Sequence, residues 1–300
     1  MTDQCASRSE YQARSNDIDA LSDTDAQMLQ SMGFWPRMPP SSAHSGPYIA
    51  EFGDSRSLHF DHRTIQSSMC MSDPLSLEFD YIRMMMGFLL FNPKPGIIDM
   101  IGLGGGSLAK YCYYRVPSSV ITAVEISREV IALRSRFFIP EDNRRLKVLW
   151  GDGADYRRQD RRRADVLLVD GFDINGQPPQ LCSQEFYEDC YFHLAPGGIL
   201  VANLWEKHQL CVNRLRKAFG NAIVVVQTER GDNRAVFARK GSNRSLSPDY
   251  EAVRLVHGGR HAGFLPQVAE RIAKQVARRK LITEIGKALS PAIQPNGAAA

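Results

Sequence analysis

Four carboxylates and one glycine-rich loop are the residues of this 300-residue chain whose types and spacing point to chemistry. The loop, "GLGGGS" from Gly102 to Ser107, follows the apolar run "GIIDMI". Gly102, Gly104 and Gly105 leave the backbone bare, so a ligand can lie against it, and the helix expected next offers free N–H groups. Glu125 closes the following apolar run, "TAVEI", about twenty residues on, which is the spacing of an acid that grips ribose hydroxyls with both oxygens. Asp152 stands with Gly153 in "GDG" at the end of a third run, where a carboxylate can accept from the exocyclic amine of adenine. Dinucleotide folds need no carboxylate there, and Ser107 also interrupts G-x-G-x-x-G. The expected ligand therefore moves from a nicotinamide cofactor towards an adenosyl sulfonium. Asp170 ends a fourth run and Asp173 follows it in "VDGFD". Two carboxylates at the mouth of a cleft can hold a cationic amine and accept a proton from it.

Other reactive side chains form no such pattern. The six cysteines are scattered, with no C-x-x-C pair and no Cys/His cluster at zinc spacing, so neither a metal nor a disulfide framework is expected, and a reducing cytoplasm is. Ser107 lacks the G-x-S-x-G context of a hydrolase nucleophile. His59, His62, His193 and His208 have no partner pattern, His193 reads as structural, and Met84 to Met86 read as core.

The elements that must position these groups follow from the apolar rhythm. Strands at "GIIDMIG", "SVITAVEI", "RLKVLWGDG", "ADVLLVDGFD" and "GGILVANLW" alternate with helices at "SLAKYCYYRV", "SREVIALRSRFF", "SQEFYEDCYFHLA" and "KHQLCVNRLRKAF", with serine caps at Ser127 and Ser183. This predicts an α/β doubly wound, mostly parallel sheet, closed by an antiparallel pair, "NAIVVVQT" and "RAVFARK". In such sheets ligands bind beyond the C-terminal ends of the strands, where all the groups above fall. Before it, residues 46–76 alternate as a small N-terminal β module, and residues 1–45, poor in apolar side chains, read as a disordered arm. The catalytic domain spans 77–240, and 241–300 reads as a linker and a C-terminal helical extension. Its basic residues, Arg260, Arg271 and Arg279 among them, read as a solvated face. No internal repeat is present. A net charge of +4 is mild and does not by itself argue for nucleic acid or a membrane as a partner, and neither is expected. The run "YIRMMMGFLLF" is too short for a membrane span and contains Arg83, and the N-terminus has no apolar core of a secretory signal.

Over about residues 47–240 the sequence resembles the spermidine synthase (polyamine aminopropyltransferase) family, within the S-adenosylmethionine-dependent methyltransferase type of fold. The resemblance rests on the order and spacing of "TIQ", "EFDY", the glycine loop, "VEI", "GDG", "VDGFD", "EFYE" and "LAPGGILVANLW". It implies that Gln66 touches the nucleoside, Glu125 the ribose, and Asp152 with Gly153 the adenine. Asp170 is then the proton acceptor, and Asp173 and Tyr81 seat the polyamine. The implied co-substrate is decarboxylated S-adenosylmethionine, the acceptor putrescine or a similar diamine, and the assembly a homodimer. Four positions depart from the family pattern. Ser107 stands where an Asp usually binds a substrate amine, Tyr81–Ile82–Arg83 replaces "YHE", and Ile174 replaces a proline. The nucleoside half is kept and the amine half is thinned.

Two other functions stay open at this point. A methyltransferase using intact S-adenosylmethionine would suit Ser107, which removes an acid that would repel the ligand's carboxylate. A non-catalytic nucleoside-binding relative would keep the same cleft.

Overall fold

The computed structural model describes residues 46–289, apart from 62–64, 160–161, 174–175, 206–207, 230, 232 and 242–245. The arm expected over 1–45, His62 and Ile174 lie outside the described residues. A seven-stranded sheet dominates, with strands β4 (Ile97–Ile101), β5 (Val120–Glu125), β6 (Leu146–Trp150), β7 (Ala164–Val169), β8 (Leu194–Trp205), β9 (Ile223–Gln227) and β10 (Asn233–Arg239) in the order β6-β5-β4-β7-β8-β10-β9. The first five strands in that order run parallel, and β10 pairs antiparallel with both β8 and β9. The doubly wound, mostly parallel sheet with an antiparallel closing pair is therefore as the sequence predicts. A separate antiparallel sheet, β1 (Tyr48–Phe52), β2 (Ser55–His59) and β3 (Ile65–Cys70), precedes it, and its Leu58 and Met69 join the main core.

The period of two along buried strands divides the core. On β7, Val166 and Leu168 face one apolar cluster while Leu167 and Val169 face the other. Both faces are covered, which is why these strands read as continuous apolar runs rather than alternating ones. Helices α5 (Gln184–His193) and α6 (His208–Phe219) supply one face; α2 (Ser107–Arg115) and the C-terminal helix α8 (Leu265–Leu289) supply the other. Helix α4 (Gly153–Gln159) is tied to β4 by a fully buried ion pair, Arg157 to Asp99 at 3.2 Å.

Several helices are shorter than their periodicity suggests. The run at 77–91 forms α1 (Asp80–Met85) and then a 3-10 turn, Met86–Leu90, with Met84, Met85 and Met86 wholly buried. The run at 127–138 forms α3 (Arg128–Ala132), capped by Ser127 Oγ accepting from Val130 N at 3.1 Å, and then a 3-10 turn, Arg134–Phe137. Phe138 follows with φ +54°, and this left-handed residue turns the chain out of the helical path.

Of the basic C-terminal residues, Arg254, Arg260, Lys274, Arg278 and Lys280 are exposed, the solvated face expected of them, while Arg271 and Arg279 are half-buried. Arg271 on α8 reaches Asp80 of α1 at 3.1 Å, Arg279 donates to the Asn221 carbonyl at 2.9 Å, and Arg260 to the Arg115 carbonyl at 3.0 Å. The three guanidinium groups satisfy two backbone carbonyls and an acid on the main domain, so they fasten the extension. Helix α7 (Tyr250–His257) adds His257 Nε2 to the Pro93 carbonyl at 2.5 Å, and His261 beyond it meets the Tyr111 hydroxyl at 2.9 Å. No helix among the described residues is long and apolar enough to cross a membrane.

Candidate active site

The C-terminal ends of β4, β5, β6 and β7, together with β3, β8 and β10, open onto a cavity of about 1220 Å³. Pockets for one drug-sized ligand run from about 300 to 1,000 Å³, so the space accommodates a nucleoside donor and a second molecule together.

The glycine loop forms its floor. Gly102 has φ +93°, and a Cβ there would stand 2.2 Å from the Asp170 carbonyl oxygen, so only glycine lets β4 pass β7 at this height. Gly106 caps α2 with φ +68°, its missing side chain replaced by Ile139. Gly102, Gly104 and Ser107 line the cavity. Gly105 is not among the lining residues. Its Cα faces Ser67 Oγ and the Phe137 ring instead, so its smallness serves packing against β3 and the 3-10 turn.

Glu125 is buried and lines the cavity from the end of β5. Its Oε2 accepts from Leu103 N and its Oε1 from Ser127 N, each at 2.9 Å. The carboxylate is thereby locked across the loop with one further acceptor site left on each oxygen. Asp152 also serves its own turn. Its Oδ1 accepts from Ala154 N at 2.7 Å at the start of α4, and its Oδ2 accepts from Gln180 Nε2 at 3.1 Å. Gly153 lines the cavity beside it, and Gln66 reaches in from β3.

At the other end, Asp170 follows β7 and is half-buried. Burial pushes its carboxyl up to about 6, and a hydrogen bond from Asn203 partly opposes the rise. That bond is Asn203 Nδ2 to Asp170 Oδ1 at 2.9 Å, and Asn233 Nδ2 donates in turn to Asn203 Oδ1 at 2.9 Å. Tyr81 stacks on Phe79, ring centroids 5.7 Å apart, and burial with the Asp170 charge holds its hydroxyl protonated. Asp173 is exposed at the cavity rim, in a tight loop where its N–H donates to the Gly176 carbonyl at 2.8 Å. Ser107 is buried at the first turn of α2. One turn further along, Lys110 is buried too, and among the described residues its Nζ has one hydrogen-bond partner, Met69 Sδ at 2.9 Å. Burial, with the Arg56 charge adding to it, lowers that ammonium to about 8.

The spermine/spermidine synthase domain model matches residues 78–228, the stretch that carries every one of these groups except Gln66 and the β10 residues. The chain belongs to the spermine/spermidine synthase family. It is 40% identical over 198 residues to the polyamine aminopropyltransferase of Chromobacterium violaceum, a match spanning 65% of this chain and 76% of that relative. The solved probable spermidine synthase from Corynebacterium glutamicum superposes with a TM-score of 0.58 at 21% identity, covering 74% of this chain and 95% of that one. Human methyltransferase-like protein 13, solved in complex with SAH, superposes with a TM-score of 0.53 at 24% identity, covering 63% and 93%.

Within this family framework the cavity contains groups the sequence pattern did not single out. Asn203 holds Asp170 and is itself held by Asn233, Gln180 holds Asp152, and Trp205, His208 and Arg234 also line the cavity. Asn203 had a visible signal, a lone amide in the apolar run "GILVANLW". The others join the site only through the crossing of β8 with β10 and the path of the loop before α5.

Proposed function

We propose that this chain transfers an aminopropyl group from decarboxylated S-adenosylmethionine to a diamine such as putrescine, working as a homodimer. One observation carries the reading: Asp170, half-buried, held by Asn203 on one oxygen and raised to about 6, stands in the same cavity as the glycine loop, Glu125 and Asp152. Gln66, Glu125, Asp152 and Gly153 take the nucleoside, Gly102 and Gly104 let it lie on the backbone, and Tyr81, Asp173 and Ser107 border the amine. The acceptor nitrogen donates its lone pair to the carbon bonded to sulfur. The carbon–sulfur bond breaks, its electron pair returns to sulfur, and methylthioadenosine leaves as a neutral thioether. The nitrogen is left cationic and passes its proton to Asp170. A carboxylate also stabilises an ammonium, which is no nucleophile. A carboxyl titrating near 6 is mostly ionised at neutral pH and sits close to the optimum for accepting a proton. Alignment of the two reactants in one cleft supplies a further large share of the rate. The relatives named polyamine aminopropyltransferase support the reading.

A second reading, methyl transfer from S-adenosylmethionine, has one observation in its favour. Ser107 brings a hydroxyl to the loop where an acid would grip a donor's amine, which suits a donor that keeps its carboxylate. Incubation of the purified protein with putrescine and each donor separates the two, with products followed by mass spectrometry. Methylthioadenosine and spermidine from the decarboxylated donor support the first reading. S-adenosylhomocysteine from the intact donor, with nothing from the decarboxylated one, overturns it.

A further inference from the structure

The C-terminal helix is tied to two walls of the cavity at the carboxylate of Asp80. Along α8, Leu265, Val268 and Ile272 recur at helical spacing and are buried, so they set which face of the helix meets the domain. Gly87 lets that face come close, since a Cβ there would stand 2.9 Å from Val268 Cγ1. Arg271 falls at the edge of the same face, and its side chain reaches α1. Its Nη1 donates to the two oxygens of Asp80 at 3.2 and 3.1 Å and lies 3.6 Å from Glu229 Oε1. Its Nη2 donates to the Gln227 carbonyl at the end of β9. Glu229 N donates in turn to Asp80 Oδ2 at 2.7 Å. Arg83 stands 3.9 Å from Asp80, but it donates to the Leu77 carbonyl at 2.8 Å, so Arg271 is the closer cation. The side chains of Arg271 and Asp80 are only 21% and 15% exposed, which sets them apart from a freely solvated surface pair. A planar guanidinium that bonds a carboxylate and a carbonyl together fixes their spacing, which a point charge does not.

Both elements held in this way carry cavity residues. Asp80 immediately precedes Tyr81, and Phe79, Tyr81 and Ile82 line the cavity. Thr228 and Glu229 open the connection from β9 to β10, and Gly231, Asn233 and Arg234 beyond them line it too. Thr228 N donates to the Asn233 carbonyl at 2.9 Å, and Asn233 N to Thr228 Oγ1 at 3.1 Å. Asn233 then holds Asn203, which holds Asp170. A run of bonds therefore leads from Arg271 through the end of β9 to Asp170. It passes through β8, β9 and β10 and leaves aside β5 and β6, whose ends carry Glu125 and Asp152. We propose, resting on the aminopropyl transfer above, that Arg271 is a positioning residue for the acceptor amine. It holds α1 and the β9–β10 connection at the spacing that keeps Tyr81 and the Asn233–Asn203 pair in place around Asp170. Arg271 lies beyond residues 78–228, the stretch that the family model matches, so this chain's C-terminal helix supports the acceptor half of the site from outside that stretch.

The test compares full-length variants with putrescine and decarboxylated S-adenosylmethionine. R271M keeps the length of the side chain and removes its donors. The KM for putrescine is expected to rise about tenfold and kcat to fall by no more than about twofold. Affinity for methylthioadenosine, read by calorimetry, stays within about twofold, because the nucleoside half is untouched. R271K keeps the charge beside Asp80 without the fork, and its KM falls between the two. D80N weakens the same contact from the other side and raises KM in the same way, which covers a failure of R271M to fold. R279M is the control for helix docking alone. Arg279 fastens α8 to the Asn221 and Ile223 carbonyls, at the other end of β9, so its loss leaves KM unchanged. An unchanged KM in R271M and D80N, an equal rise in R279M, or an equal loss of methylthioadenosine affinity overturns the proposal. A native chain that makes no spermidine overturns the transfer reading instead. Amide exchange at Glu229 then decides the positioning on its own, about tenfold faster in R271M and unchanged in R279M. Equal exchange in R271M and the native chain overturns it.

Discussion

Asn203 donates to one oxygen of Asp170 at 2.9 Å while its own oxygen accepts from Asn233 at the same distance. The amide cannot turn over without breaking the bond from Asn233, so it presents a donor to Asp170 and leaves the second carboxylate oxygen to the cavity. The bond favours the charged carboxylate and so opposes the rise that burial causes. Replacing Asn203 by Leu removes that opposition. The Asp170 pKa then climbs above 6, and because the proposed transfer uses the carboxylate, the acid limb of kcat/KM is expected to move to higher pH by about one unit, with the rate at neutral pH down roughly twofold. A rate profile over pH checks this. A limb that stays in place would show that Asp170 is not the group whose ionisation it reports.

Replacing Asp170 by Asn separates catalysis from stability. On the proposed function, loss of this proton acceptor is expected to lower kcat by about a thousandfold. The stability effect has the opposite sign. The folded state holds this proton up to about 6, against an ordinary value of 3.8, so folding gains from Asp170 at low pH and loses that gain as pH rises from about 4 to 6. Above 6 the partly buried charge is a liability that the neutral amide lacks. D170N therefore melts about 2 °C above the native chain at pH near 8, and the two converge near pH 4. Calorimetry at both pH values measures the difference. A variant that melts lower at the higher pH would contradict the burial that raises Asp170.

How much of this was visible in the sequence depends on the range of each contact. Strand ends and the loop between β4 and α2 are local, so Glu125, Asp152 and Asp170 could be placed at one edge from periodicity alone. Gly105 was misplaced because a run of glycines does not show which of them faces ligand and which faces a neighbour; its approach to Ser67 and Phe137 depends on the β module docking. Asn233 could not be seen, since its bond to Asn203 needs β10 to return antiparallel beside β8. Helix lengths were overestimated where a repeating apolar pattern continues through 3-10 turns, which keep nearly the same face buried as an α-helix.

The proposed function assigns Ser107 the choice between donor tails. This serine faces the cavity from the first turn of α2, and an acid in its place would pair with the free amine of a decarboxylated donor and repel the carboxylate of the intact one. The substitution S107D is expected to tighten decarboxylated S-adenosylmethionine roughly tenfold and to weaken S-adenosylmethionine by a similar factor. Titration calorimetry with each ligand reads both changes. Equal shifts for the two donors would remove Ser107 from the tail-binding end of the cleft.

The C-terminal helices should loosen in mild acid. His257 and His261 meet edge to face with ring centroids 4.8 Å apart, one bonded to the Pro93 carbonyl and the other to the Tyr111 hydroxyl. Burial, then the charges of His257, Arg260 and Arg115, lower His261 to about 4, and burial lowers His257 as well. A base whose folded pKa is depressed takes its proton more readily when unfolded. The contribution of this pair is therefore complete above about 6.5 and is lost as pH falls towards 4. Melting temperature should drop between pH 7 and 5, with proteolysis at the exposed α7 surface appearing before global unfolding. The variant H261Q keeps a partner for the Tyr111 hydroxyl but cannot titrate. Its melting temperature should fall less steeply over the same interval, and parallel slopes for the two proteins would place the acid sensitivity elsewhere in the chain.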